Sequence, residues 1–434
     1  MDMQSTARKV TAIFVAAMMV FAMAFIATPA KAFAAGETGT LTVTGNAELA
    51  KKNVTIVKMF GATKSGANVA YTLEDAWAAF FKGLGETTMD NMSGEELSQA
   101  AYSYVSNMTE DSAELVAFAK EARKYARDNS AAFNALSTTQ PAGEASQGKA
   151  SAVFTQVAYG YYLAFPADGS TSADRKTDAM LVNVADTTAT WAIKSEYPTV
   201  DKTVADVNGG KPNVGGAAVG DKLTFTLISK VPDMSDYSSY LFNFVDTLSA
   251  GLTLDQASIN VTVDGALVAS PGDYTVDVKT VETDKTQLTI SMVDFKNKCD
   301  AKAGKEIKVT YSATLNEKAV VDGDLSNTNT NEAKVEYSNN PDNPQGGKGE
   351  STTDKTYAYT FKFGVNKQND KHEALADAQF KIWKDGGNGV FGTDDTALKF
   401  DDKQNGKFIL NANGNVETIT TTAPTGKFSV EGLE

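Results

Sequence analysis

Between residues 198 and 337 the chain repeats one pattern. A short run rich in β-branched and aromatic residues is followed by a turn signal, and then by the next run. The runs are 223–228, 242–245, 259–263, 274–278, 288–293, 307–315 and 333–337. Strands this short and this closely spaced bury their apolar faces only against one another, as a sandwich or a barrel. The region therefore reads as all β, and its Gly-rich stretch at 208–220 reads as a loop, because no strand-turn-helix context makes it a phosphate cradle.

The flanks are organised differently. Residues 36–72 alternate apolar and polar positions, with Leu41, Val43, Val54 and Ile56 in two strands. Three amphipathic helices are predicted next, from capping-box starts at Thr72/Asp75, Ser93/Glu96 and Asp111/Glu114. Their apolar stripes run through Trp77 and Phe80, through Leu97 and Ala101, and through Phe118 and Ala122, and read as core. Residues 137–151, rich in Ser, Thr, Gly and Ala, read as a loop, with strands resuming at 153–157 and 161–165. The polar, Gly- and Pro-containing stretch 338–354 reads as a linker, and another β segment starts near Tyr357. The expected division is 1–34 a leader, 35–198 a first domain carrying the helices, 199–340 a middle β-sandwich, 341–354 a linker and 355–434 a last β domain that continues beyond residue 434.

Residues 1–34 have the form of a secretory signal: Arg8 and Lys9, an apolar run over 10–27, and the small-x-small sites Ala30-Lys31-Ala32 and Ala32-Phe33-Ala34. The alternative is a retained anchor. The net charge is −14, and it becomes more negative once that leader is removed, so nucleic acid is not an expected partner. The chain has one cysteine, Cys299, and one histidine, His372. An internal disulfide, a Cys/His zinc cluster and an H-E-x-x-H protease are thereby excluded. No Gly-Lys pair is followed by Ser or Thr, which removes the P-loop. No cofactor or metal is expected. A secreted hydrolase would need paired carboxylates, yet Asp385, Asp394 and Asp395 sit in a Gly-rich stretch without a strand framework. Calcium binding by that stretch is a further alternative to a solvated loop.

Strand parity supplies the candidate site. Alternate residues of a strand share a face. Lys202 shares one with Val200 and Val204, Asp246 with Phe242, Phe244 and Leu248, and Asn331 with Ala333, Val335 and Tyr337. A lysine, an aspartate and an asparagine thus point into one core, where unpaired charge is costly. A buried ion pair with a hydrogen-bonded asparagine is one reading. The other is a covalent Lys–Asn isopeptide bond. Burial favours a neutral, nucleophilic amine. A carboxyl that holds its proton in the same pocket polarises the carboxamide for attack, and ammonia leaves. Close fixed placement supplies the effective molarity that a poor electrophile requires.

At these residues the chain resembles the backbone pilins of Gram-positive sortase-assembled pili. The segments that carry the likeness are KSEYPTVDKTV (194–204), VGDKLTFTLISKVP (219–232), YLFNFVDTLSAGLTLD (240–255) and NTNEAKVEYSNNP (329–341). Upstream, GTLTVTGNAELAKKNVTIVKMF (39–60), YTLEDAWAAFFKGLG (71–85) and GYYLAF (160–165) resemble the N-terminal pilin domain. Downstream, FKFGVNKQNDKHEALADAQFKIW (361–383) resembles the start of the C-terminal one, with Asp377 where the family usually has glycine. The resemblance implies tandem immunoglobulin-like and prealbumin-like β-sandwich domains, the first with a helical insertion. It implies a structural fimbrial subunit of the cell surface and not an enzyme. Lys202 and Asn331 become the cross-linked pair and Asp246 the catalytic acid. Lys367, which shares a strand face with Phe361, Phe363 and Val365, becomes the cross-link lysine of the last domain. Its Asn and Glu partners are not assigned. The implied partners are identical subunits joined by a sortase, the sortase itself, cell-wall peptidoglycan and a host receptor. The family's acceptor motif Tyr-Pro-Lys is broken here as Tyr197-Pro198-Thr199, which leaves Lys194 as the nearest acceptor. A tip adhesin built from the same domains is the alternative role.

Overall fold

The computed structural model describes residues 37–434 apart from 67, 85–88, 110–111, 168–179, 194–196, 206–213, 322–328 and 341–346. The leader at 1–34, Lys194 and residues 208–213 of the Gly-rich stretch lie outside the described residues, and the rest of that stretch is not all loop, since Val214–Gly216 is a strand.

The first unit contains β1 (Thr38–Asn46), β2 (Asn53–Ser65), β3 (Asn68–Leu73), α1 (Ala78–Lys82), α2 (Gly94–Ser106), α3 (Ala113–Asp128), α4 (Ser130–Phe133), β4 (Ser137–Pro141), β5 (Lys149–Ala158), β6 (Gly160–Pro166), β7 (Met180–Val184) and β8 (Thr188–Ala192). One sheet runs β5-β1-β8, and the other runs β3-β2-β6-β7 with β4 also on β2. Trp77, Phe80, Phe81, Leu97, Phe118 and Phe133 bury the helices against Phe60 and Leu163 of the second sheet. Two of the expected helix starts are displaced. Thr72 pairs with Gly61 inside β3, so the first helix begins after Glu74. Ser112 caps α3 by accepting the Leu115 amide at 3.1 Å. The expected loop at 137–151 holds β4 and the start of β5. Its threonines suit an exposed edge strand, and the Thr139 hydroxyl lies 2.7 Å from that of Thr55.

The middle unit contains β9 (Asp201–Ala205), β10 (Val214–Gly216), β11 (Lys222–Lys230), β12 (Phe242–Leu248), β13 (Leu252–Val263), β14 (Ala266–Leu267), β15 (Tyr274–Val281), β16 (Lys285–Met292), α5 (Phe295–Cys299), β17 (Glu306–Leu315), β18 (Asn329–Ser338), β19 (Lys348–Glu350) and β20 (Asp354–Tyr359). Every run expected from the repeat lies in a strand to within a residue. Two sheets face each other, β14-β13-β17-β11-β9 and β10-β20-β18-β12-β16-β15, with β19 added to β18. Phe225, Leu227, Val309 and Ala313 from the first meet Phe242, Phe244, Ile290 and Val335 from the second in one apolar core. The region is not pure β, since Phe295 and Cys299 of α5 are buried against it. The linker reading also needs correction. Lys348–Glu350 and Asp354–Tyr359 are hydrogen-bonded strands of the middle sandwich, so this unit extends to Tyr359. Composition alone missed the alternation of Thr356 and Ala358, both buried, with the half-buried Tyr357.

The last unit contains β21 (Phe361–Asn366), β22 (Gln379–Phe380), β23 (Trp383–Lys384), β24 (Thr396–Ala397), β25 (Phe400–Asp402), β26 (Lys407–Leu410), β27 (Ile419–Thr420) and β28 (Lys427–Leu433). Its main sheet runs β21-β28-β26-β25. Asp377 has φ of 60°, in the left-handed region where glycine is free of strain. Between the units, the Lys52 ammonium sits 3.9 Å from the Tyr197 ring centre and 5.1 Å from that of Tyr337. The amine of Lys120 on α3 meets Asp233 at 3.1 Å, and the Val219 amide donates to Gly432 at 2.9 Å. The chain is a mainly β protein of tandem sandwiches with a helical insertion in the first unit.

Candidate cross-linking site

The register of the middle sandwich brings the three parity-selected residues together. Lys202 lies on edge strand β9, opposite Leu227 of β11. Asp246 and Asn331 lie on the neighbouring strands β12 and β18 of the facing sheet, where Asp246 pairs with Ala333 and Asn331 with Leu248. Their side chains share the inward face, two residues out of step. Lys202, Asp246 and Asn331 are 1%, 0% and 0% exposed, so solvent plays no part in satisfying them.

The Lys202 amine spans the gap between the sheets and donates to Asp246 Oδ2 at 2.7 Å. It also donates to the Tyr311 hydroxyl at 3.2 Å. That hydroxyl donates to Asp246 Oδ2 at 2.5 Å and accepts from Asn331 Nδ2 at 2.5 Å. Asp246 Oδ1 and Asn331 Oδ1 are buried without a hydrogen-bond partner. A buried acceptor left unsatisfied costs about 1–3 kcal/mol. The aromatic wall is formed by Phe225, stacked on Tyr311 with ring centres 5.4 Å apart and 5.2 Å from the Lys202 amine. Burial pushes the Lys202 amine below its ordinary value, against the opposing pull of Asp246. Burial, together with the Asp246 charge, pushes the Tyr311 phenol well above the usual range.

Tyr311 is the member that the sequence reading did not select. Its signal was present. Ile307, Val309, Tyr311, Ala313 and Leu315 alternate on one buried face of β17, and a phenol hydroxyl is the one polar tip among them. Lys367 is a correction. It is exposed, one residue past β21, and so does not point into a core. Parity placed it with Phe361 and Phe363, but β21 is an edge strand whose apolar positions are themselves 58% and 40% exposed. In the 385–395 stretch the carboxylates turn inward, with Asp385 accepting the amides of Gly387 and Gly389 and Asp395 those of Gly386 and Gly392. No cluster of three metal-ligating residues occurs among the described residues.

Comparison with known proteins follows the same lines. No curated protein matches the sequence. Among solved structures, the chain is similar to the Corynebacterium diphtheriae major pilin SpaA, with 16% identity over 92% of this chain and 84% of that one and a TM-score of 0.47. It is also similar to the T6 backbone pilin of Streptococcus pyogenes, with 15% identity over 92% and 81% and a TM-score of 0.41. A C-terminal fragment of the Streptococcus agalactiae major pilin GBS80 aligns with 20% identity over 55% and 80% and a TM-score of 0.42. The family model for Gram-positive pilin backbone subunit 2, Cna-B-like domain, matches residues 219–341, which hold Asp246, Tyr311 and Asn331. Residues 219–341 of this chain are thus similar to a Gram-positive pilin backbone domain of the Cna-B-like kind.

Proposed function

We propose that the chain is a structural subunit of a covalently polymerised pilus on a Gram-positive cell surface, and that its middle unit is closed by an amide bond between Lys202 and Asn331. The observation that carries this reading is the fully buried Lys202–Asp246 pair beside the Asn331 carboxamide, in a domain of pilin-backbone type. The ion pair and its neutral form differ by one proton moved across 2.7 Å. In the neutral form Lys202 is a nucleophile, and the Asp246 acid supplies a donor for the unsatisfied Asn331 Oδ1. Attack forms the Nζ–Cγ bond, and Oδ1 takes the Asp246 proton. The carboxylate then removes a proton from Nζ and delivers it to Nδ2. The Cγ–Nδ2 bond breaks, ammonia leaves with the bonding pair, and Oδ1 returns its proton to Asp246. No cofactor enters this scheme.

In this reading the partners are further copies of the chain, joined by a sortase and attached to peptidoglycan, with adhesion to host or neighbouring cells as the outcome. Lys194 is the proposed acceptor. Peptide mapping of the folded chain tests the chemistry: a joined Lys202–Asn331 peptide, one ammonia lighter than its two parts, is expected. An unmodified Lys202 peptide from folded protein refutes the cross-link. Cell-wall extracts test the assembly, since a detergent-resistant ladder of multimers is expected and monomer alone in sortase-positive cells refutes polymerisation. An undiminished ladder with Lys194→Ala removes Lys194 from the acceptor role.

A further inference from the structure

One proton transfer of this reaction needs a route through the site. The amide nitrogen must be protonated before it can leave, because its anion is far too basic to be expelled. The hydrogen bonds of Asp246 run to Lys202 and Tyr311, while Asn331 Nδ2 donates to Tyr311. The phenol oxygen therefore stands between the acid and the leaving group, 2.5 Å from each. A hydroxyl is donor and acceptor at once, which is the requirement for a relay.

We propose that Tyr311 is a catalytic proton relay of the cross-linking reaction, carrying a proton from the Asp246 carboxyl to the Asn331 nitrogen that departs as ammonia. The proposal rests on the cross-linking reading of the site. In the tetrahedral intermediate Nδ2 is an amine with a free electron pair. The phenol gives its own proton to that pair and takes the Asp246 Oδ2 proton in the same movement. The Cγ–Nδ2 bond then breaks, and Tyr311 ends as the neutral phenol it was. Two features suit it to this task. Its elevated pKa keeps it from storing a charge, so that it passes protons without holding a phenolate. Its ring is fixed by the stack on Phe225 and by full burial, which holds the hydroxyl at the junction of both sheets.

The test separates the hydroxyl from the ring. Tyr311→Phe keeps the stack and removes the relay, whereas Phe225→Leu loosens the stack and keeps the relay. Both full-length variants and the parent are followed by intact mass and peptide mapping from the end of synthesis. The expected result is prompt ammonia loss in the parent and in Phe225→Leu, with Tyr311→Phe slowed by roughly 10²-fold or more, the scale of a lost general acid. Prompt cross-linking of Tyr311→Phe overturns the relay and leaves the cross-link standing. Equal slowing of both variants also overturns it, because packing would then be the cause. A parent without the cross-link overturns the underlying reading and the relay with it. If Tyr311→Phe fails to fold, the parent reaction in mixtures of H2O and D2O decides. Two protons moving together give a rate that falls nonlinearly with deuterium fraction, and a linear fall overturns the relay.

Discussion

Replacing Asn331 by alanine removes the electrophile but leaves Lys202 paired with Asp246, so the cost of losing the cross-link is isolated from the cost of stranding a buried charge. The bond from β9 to β18 would close a loop of about 130 residues, for which loop-closure entropy gives about 5 kcal/mol. The cooperative unit from Asp201 to Tyr359 is about 160 residues, with an unfolding entropy near 0.3 kcal/mol per degree at the midpoint. Together these give a fall of about 15 °C in the melting temperature of the middle unit, plus a few degrees for the lost bond to Tyr311. Calorimetry of the full chain is the assay, with the middle transition identified as the one that moves. Asp246→Ala is expected to fall further, because it also leaves the Lys202 amine buried without its partner, a penalty of about 3–5 kcal/mol when one member of such a pair is removed. A melting temperature for Asn331→Ala within about 5 °C of the parent would refute the loop argument, since it corresponds to less than half the expected stabilisation.

Acid should loosen the contact between α3 and the middle unit. Burial raises the Asp233 carboxyl, but Lys120 and the Ser235 amide and hydroxyl outweigh it and hold it below its ordinary value of 3.8. Below that value the unfolded chain takes up the proton first, so the contribution is full above it and is lost as pH falls through the folded value. Thermal unfolding of Asp233→Asn against pH should lack this component, and an unchanged acid limb would refute the assignment. Gly251→Ala should destabilise the middle unit by about 1–3 kcal/mol, because a Cβ there would stand 2.4 Å from Asn329 Oδ1 and 2.8 Å from the Ala319 Cα. Denaturant titration checks this, and a neutral result would mean that Asn329 moves freely. Asp377→Ala should cost the last unit about 1 kcal/mol while Asp377→Gly does not, since the left-handed backbone penalises a Cβ without a compensating polar side chain. Equal stability of the two variants, measured in the same titration, would contradict it.

Strand parity was sufficient for Lys202, Asp246 and Asn331 because each lies on a strand face made mainly of apolar residues, although on β18 the buried Asn329 shares that face with Asn331. It failed for Lys367 because alternation tells which residues share a face and not whether anything covers that face. Phe361 and Phe363 are as apolar as Phe242 and Phe244, yet they stay 58% and 40% exposed while the latter pair is buried between two sheets. Tyr311 was legible in principle, but an aromatic ring in a core face reads as packing until its hydroxyl is seen among polar neighbours. The strands 348–350 and 354–359 were hidden for a different reason. Polar, Gly-rich composition describes the exposed side of a strand as well as it describes a linker, and what decides between them is pairing with β18, which composition does not show.

The backbone amide of Lys202 donates to the Asp354 carboxylate at 2.6 Å, so the first strand of the middle unit is tied to its last. The chain comes into this unit just before Lys202 and leaves it just after Tyr359. Asn331 itself pairs with Thr356 on that departing strand. With the proposed amide bond in place, a pull applied along a fibre would run from Lys202 through that bond to Asn331 and out through β20. The strands from β10 to β17 would lie off the line of tension, carrying the fold but little of the load. The element that would yield first is β20, drawn along its own axis against β18, where its ladder of hydrogen bonds is sheared together and not unzipped one by one.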